Sequence, residues 1–167
     1  MNSVIPKHSE ATLETQNQNK IRSDARCYLM PAKDLYHDTV KTALIKDGWT
    51  ITDDPLSLEV GGRDLFIDLG AEKLLIADRG NQKIAVEVKS FISPSLVKDL
   101  ENALGQYILY EDIIAQEYPE RRLYLAIREA VHLSFFSEPI VQIPLKSRHI
   151  RLLVFDEIQE IITQWIH

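Results

Sequence analysis

The stretch that most constrains this chain is Ile84-Ala85-Val86-Glu87-Val88-Lys89-Ser90-Phe91, an apolar β-type run carrying a carboxylate and an ammonium two residues apart. Side chains alternate across a strand, so Glu87 and Lys89 share one face while Val86 and Val88 take the other. Burial of the valine face orients the two charged groups together. A carboxylate beside an ammonium at a strand end suits phosphodiester hydrolysis. The carboxylate holds a hard divalent cation, and the lysine orients a water or helps to deprotonate it. A lone Glu-x-Lys is far more often an ion pair on a half-buried strand, so the weight rests on what surrounds it.

The surroundings read as alternating helices and strands. From Asp34 the apolar positions Leu35, Val40, Ala43 and Leu44 follow a helical period that stops at Asp47-Gly48. Trp49 to Thr52 reads as a strand closed by the Asp53-Asp54-Pro55 turn, and Gly61-Gly62 joins two further strands, Leu56 to Val60 and Leu65 to Ile67. Leu74 to Ala77 and Ile84 to Val88 flank Asp78-Arg79-Gly80-Asn81, a hairpin signal. Phe91 closes that sheet edge. Ser93-Pro94 then supplies an N-cap and first-turn proline for a helix running to about Gln116. Arg122 to Ile127 is a strand, Ala130 to Phe136 a short helix, Ile150 to Phe155 a last strand, and Ile158 to Ile166 an amphipathic helix. Residues 1–29 carry no apolar period and read as a disordered extension, which leaves 30–167 as one domain; Met30 is also a candidate start.

Two further elements line up with the Glu-x-Lys. Nineteen residues before Glu87 stands Asp68, in Phe66-Ile67-Asp68-Leu69-Gly70, and after the catalytic-type strand Gln106 and Tyr110 sit four apart on one helix face. The ordered set Asp, Glu-x-Lys, Gln-x-x-x-Tyr resembles the PD-(D/E)xK phosphodiesterase superfamily, a restriction-endonuclease-like α/β fold with a mixed central sheet flanked by helices. The resemblance implies Asp68 and Glu87 as ligands of Mg²⁺ or Mn²⁺, Lys89 serving the nucleophilic water, and Gln106 and Tyr110 supporting the site. The match has departures: Ile67 stands where a proline is usual. A register set by the Asp78–Asn81 turn would put Glu87 opposite Leu74 rather than Asp68, so either a bend near Gly70 restores Asp68 or Glu72 is the partner carboxylate. An acidic residue of the first helix often contributes in that superfamily; here His37 or Asp38 stands in that region.

Longer strings narrow the resemblance. Met-Pro-Ala-Lys-Asp at 30–34, Lys46 to Thr52, Ile67 to Lys73, Gln82 to Phe91, Ala103-Leu104-Gly105-Gln106 and the Trp165-Ile166 ending are similar to the XisH family. That family is named for controlling excision of the fdxN DNA element in cyanobacteria, beside a site-specific recombinase and an XisI-family companion. The resemblance implies a nuclease-like fold, DNA within a complex, and an XisI-like protein partner. It leaves open whether the chain cuts DNA.

Composition sets the remaining bounds. The chain has 167 residues, enough for a substantial core, and a single cysteine, Cys27, which excludes an internal disulfide framework or a cysteine-based zinc site. No apolar run approaches the roughly 18 residues of a membrane span, and the cytoplasm is the expected compartment. With 25 acidic against 19 basic residues, the net charge of −6 argues against an unaided grip on nucleic acid and for a protein partner; a homo-oligomer is compatible with it. The five histidines show no ligand spacing. Two functions follow: a Mg²⁺-dependent DNA endonuclease-type site within a DNA-rearrangement factor, or a noncatalytic control factor on the same fold that acts by binding its partner.

Overall fold

A computed structural model describes residues 34–67, 69–75 and 80–167. The expected extension 1–29, Asp68, and Asp78 and Arg79 of the expected turn lie outside the described residues.

Helix α1 (His37–Lys46) is followed by β1 (Thr50–Asp53), β2 (Leu56–Val60), β3 (Arg63–Ile67), β4 (Leu69–Leu75) and β5 (Gly80–Val88). Helix α2 (Leu96–Glu117) leads to β6 (Arg121–Arg128), α3 (Glu129–Leu133), a 3₁₀ turn (Phe135–Ser137), α4 (Pro139–Arg148), β7 (Leu152–Asp156) and β8 (Ile161–Ile166). Strands β2 and β3 form a separate hairpin. Its Gly61 and Gly62 have φ of 59° and 75°, the pair of positive values that a two-residue primed turn requires and that glycine adopts without strain.

The main sheet has six strands in the order β1-β4-β5-β6-β7-β8. β5, β6 and β7 are parallel, and the outer pairs are antiparallel. The fold is thus a mixed α/β sheet flanked by helices, as the sequence predicts. Buried on one face are Ile84, Val86, Val88, Tyr124, Ala126, Leu153 and Phe155, packed with Val40 and Leu44 of α1 and with Trp49. The other face, with Ala85, Leu123, Leu125, Ile127, Leu152 and Val154, is covered by α2, by the segment α3 to α4, and by Leu56 and Leu58 of β2. A sheet covered on both sides explains why the parallel strands read as nearly unbroken apolar runs.

This topology gathers several strand ends at one end of the sheet. β1 pairs antiparallel with β4, and β4 with β5, so β1 runs in the direction of β5, β6 and β7. The last residues of four strands therefore gather at one end of the sheet, with the first residues of β4 and β8. In open α/β sheets that carboxyl end is where sites form, because loops rather than packed side chains occupy it.

The structure corrects four local expectations. Ile158–Ile166 is not a helix: Ile161–Ile166 is the edge strand β8. Its apolar spacing mimics a helix because the register with β7 shifts between Val154 and Phe155, and that irregularity puts Ile162 and Trp165, three apart, on one face. Helix α2 begins one residue pair later than predicted. Ser95 is its N-cap, its Oγ accepting from the Lys98 N–H at 3.3 Å, while Ser93 N–H donates to Asp99 Oδ2 at 3.1 Å in a preceding bend. The segment Ala130–Phe136 is not one helix but two pieces, broken at Ser134, whose Oγ donates back to the Ala130 carbonyl at 2.7 Å. Helix α4 has no counterpart among the sequence expectations; Pro139 opens it favourably, but Pro144 inside it hides the helical signal.

Candidate functional site

At the finishing end of β5, Glu87 and Lys89 meet as the alternation requires: Lys89 Nζ lies 2.9 Å from Glu87 Oε1. The environment differs from a half-exposed strand. Glu87 shares its face with Ala85, under the α2 layer, and is only 3% exposed. The Lys89 side chain remains 27% exposed and reaches toward solvent. A carboxylate in such a place must be compensated by cations or hydrogen bonds, since burying it unpaired would cost several kcal/mol.

Backbone geometry fixes the pair. Lys89 N–H donates to the Ala126 carbonyl at 3.1 Å, which carries the β5–β6 ladder past the end of the strand. Phe91 then takes a φ of 49°, rare for a bulky residue, and turns the chain sharply so that its ring packs edge-on against Phe136 at 5.1 Å. Strain of this kind persists where packing over-determines it, and here it sits two residues beyond Lys89.

The start of α1 closes the same end of the sheet. Asp34 Oδ2 accepts from the Ser90 N–H at 2.9 Å, and Arg128, the last residue of β6, donates to the Ser90 carbonyl and to Glu157 Oε1, each at 3.3 Å. The Arg128 guanidinium stacks over Tyr36, 4.9 Å from its ring centre. His37 is 2% exposed and its Nε2 lies 2.6 Å from Asp54 Oδ1, while Lys41 Nζ donates to Asp54 Oδ2 at 2.5 Å. Burial pushes the Asp54 carboxyl up, but the hydrogen bonds and positive charge of Lys41 and His37 outweigh it and hold the group below its ordinary value. An ionised carboxylate has no proton to give, so His37 Nε2 carries the proton in this contact.

The sequence-predicted residues thus separate into groups. Glu87 and Lys89 are together. His37 belongs to the Asp54–Lys41 cluster, and Asp38 is exposed. Gln106 is half-buried and Tyr110 buried on α2, the helix that covers the Glu87 face. Between them Tyr107 donates to the Leu123 carbonyl at 3.2 Å and accepts from Arg151 N–H at 3.1 Å, whereas Glu87 pairs with Leu125. Tyr107, between the two predicted residues, is thus anchored at the level of Leu123, two residues before the Leu125 that pairs with Glu87. The β4–β5 register also differs from the one a tight Asp78–Asn81 turn would set. Leu74 pairs with Asn81 and Leu69 with Val86, so β4 begins level with the end of β5, and Glu72 pairs with Lys83, four residues short of Glu87. Among the described residues no group of three or more histidines, cysteines or carboxylates is set to hold a metal.

Sequence reasoning missed Asp34, Asp54, Lys41 and Arg128. Only the topology could have found them, because they come from the ends of elements far apart in the chain; Asp54 reads simply as a turn residue before Pro55.

The fold and this strand-end cluster define an α/β protein whose charged residues converge at the carboxyl end of a mixed sheet. A family described as XisH protein matches residues 30–163, and the chain belongs to the XisH family. Two crystal structures are similar to it. An XisH family protein from Nostoc punctiforme PCC 73102 is 40% identical, with a TM-score of 0.72 over 80% of this chain and 100% of its own. A fdxN element excision controlling factor protein from Anabaena variabilis is 42% identical, with a TM-score of 0.72 over 81% of this chain and 100% of its own. No curated protein matches the chain. Among the described residues, no helix is long and apolar enough to cross a membrane.

Proposed function

We propose that this chain is a control factor for excision of a DNA element and that it carries a Mg²⁺- or Mn²⁺-dependent phosphodiesterase site at the end of β5. The observation that supports the reading is the nearly buried Glu87 held 2.9 Å from Lys89 at the carboxyl end of the sheet. The donor chemistry fits a hard cation: Glu87 offers carboxylate oxygens, and Asp68, which precedes Leu69 in the chain, follows the order expected for the second ligand. Bound there, a divalent ion supplies charge neutralisation for a phosphate and acidifies a water. Lys89 orients that water and stabilises charge developing on the phosphate, and burial of Glu87 keeps bulk water from competing for the carboxylate. The excision-control part rests on the Anabaena variabilis relative, a fdxN element excision controlling factor.

Thermal denaturation with Mg²⁺ or Mn²⁺, read beside DNA cleavage, tests the site. A true site gains roughly 3 kcal/mol at a hundredfold excess of metal over its dissociation constant. Glu87→Gln should abolish that gain, and Lys89→Ala should keep it while removing cleavage. If neither metal shifts the melting temperature and no DNA is cut, with or without a partner, the nuclease reading is to be dropped.

The second reading is a noncatalytic control factor acting through an XisI-like protein partner. The net charge of −6 favours it, because such a chain is poorly equipped to hold DNA alone.

A further inference from the structure

A cavity of about 570 Å³ opens between α3, the end of α4 and the β7–β8 edge. It is separate from the strand-end cluster: none of its lining residues comes from α1, β5 or the β1–β2 turn. The volume lies within the range of small-molecule sites, roughly 300–1,000 Å³. Its wall is aliphatic, formed by Leu145, Ile150, Leu152 and Ile166. Its polar lining carries His132, Lys146, His149 and His167, the last with its Nδ1 2.9 Å from the Tyr124 hydroxyl. In a chain with 25 acidic residues, none of the residues lining this cavity is an aspartate or glutamate.

Three features select the occupant. The Lys146 side chain, with three imidazoles that can donate hydrogen bonds, favours an anionic head. The aliphatic wall favours a short hydrocarbon body and gives an aromatic ring nothing to stack on. The backbone around the polar side is fixed: His149 caps α4 in the left-handed region, with φ of 51°, and Ile150 N–H donates to the Leu145 carbonyl at 3.1 Å. Gln142, which also lines the cavity, is anchored by its Nε2 donating to the Phe136 carbonyl at 2.7 Å.

We infer that this cavity binds a small amphipathic anion, a carboxylate or phosphate head on a short aliphatic body. Calorimetric titration of the full chain with octanoate and with octyl phosphate distinguishes the two heads, and 1-octanol serves as the neutral control. Saturable binding of either anion, at least about tenfold tighter than 1-octanol, is expected. The double variant Lys146→Glu, His149→Asn changes two exposed side chains, and asparagine tolerates the left-handed backbone, so the fold should persist while anion binding weakens by tenfold or more. Glu87→Gln should leave it unchanged. Absence of saturable binding, equal binding of 1-octanol, or survival of binding in the double variant each overturns the assignment.

Discussion

At the residue scale, two carboxylates at the same end of the sheet meet basic side chains by different means. Glu87 pairs with Lys89, the residue just past the end of its own strand, whereas Asp54 is held by His37 and Lys41 from two positions of α1. That second arrangement ties the helix to the β1–β2 turn, and its strength follows pH. The Asp54 carboxyl is held below its ordinary value of 3.8, so its stabilisation is fully present above that value and is lost as pH falls through the lower, folded one. Asp54→Asn keeps the shape but removes the charge that Lys41 and the His37 N–H meet. It should lower stability near neutrality by about 2 kcal/mol, as is usual for a charged hydrogen-bonded partner. It should also flatten the loss of stability on acidification below pH 4, relative to the unmutated chain. Urea midpoints measured between neutrality and pH 3 would test both, and an unchanged acid slope in Asp54→Asn would rule out this account of Asp54.

At the element scale, the start of α2 decides between two serines. Ser95 caps the helix in the structure, and Ser93 shapes the bend before it. Ser95→Ala should therefore cost about 1 kcal/mol, the usual value of an N-cap. Pro94→Ala, at a position outside the helix, should cost much less, and equal losses would restore the earlier start. The legibility of the other elements follows from how local their signals are. Val40, Ala43 and Leu44 of α1, the Gly61-Gly62 hairpin, the β5 run and the body of α2 were readable because periodicity and turn chemistry are local, whereas Leu35, read into the same stripe, is exposed ahead of the helix. The end of the chain was not. Ile158, Ile161, Ile162, Trp165 and Ile166 satisfy a helical period, and only the β7 partner with its register shift shows that the same spacing serves an edge strand. Trp165 meets Tyr124 edge-to-face at 4.9 Å and Trp49 at a tilt at 5.7 Å, contacts no local pattern could announce. The candidate site divides in the same way. Alternation alone pairs Glu87 with Lys89, but Asp34 and Arg128 reach the strand ends through contacts between residues 29 to 56 positions apart, and Asp54 through contacts 13 and 17 apart, none of which a local pattern announces. Burial of Glu87 was likewise invisible, because it comes from the layer of α2 and β2 rather than from its own strand.

At the scale of the whole molecule, charge opposes the proposed substrate. Nucleic-acid binding draws most of its nonspecific affinity from counterions released when basic side chains neutralise phosphates. This chain has six more acidic than basic residues, from 25 against 19. The cations at the sheet end are also engaged: Lys89 with Glu87, Lys41 with Asp54, and Arg128 with Glu157 and Ser90. Moving any of them to a phosphate leaves a carboxylate behind, which costs part of what the new contact gains. DNA affinity of the isolated chain is therefore expected to be weak at physiological salt, and in the proposed reading a protein partner would supply the basic surface or compete for those carboxylates. Fluorescence anisotropy with labelled duplex DNA in roughly 0.15 M salt, where exposed charges are screened beyond about 8 Å, measures this directly. The chain alone should show little binding at micromolar concentration. Addition of an XisI-like protein that copurifies with it should raise the affinity by tenfold or more, with a steeper salt dependence than either protein shows alone. Tight DNA binding by the isolated chain would mean that the phosphate-binding surface lies within it; failure of the two proteins to associate at micromolar concentration would remove the partner from the account.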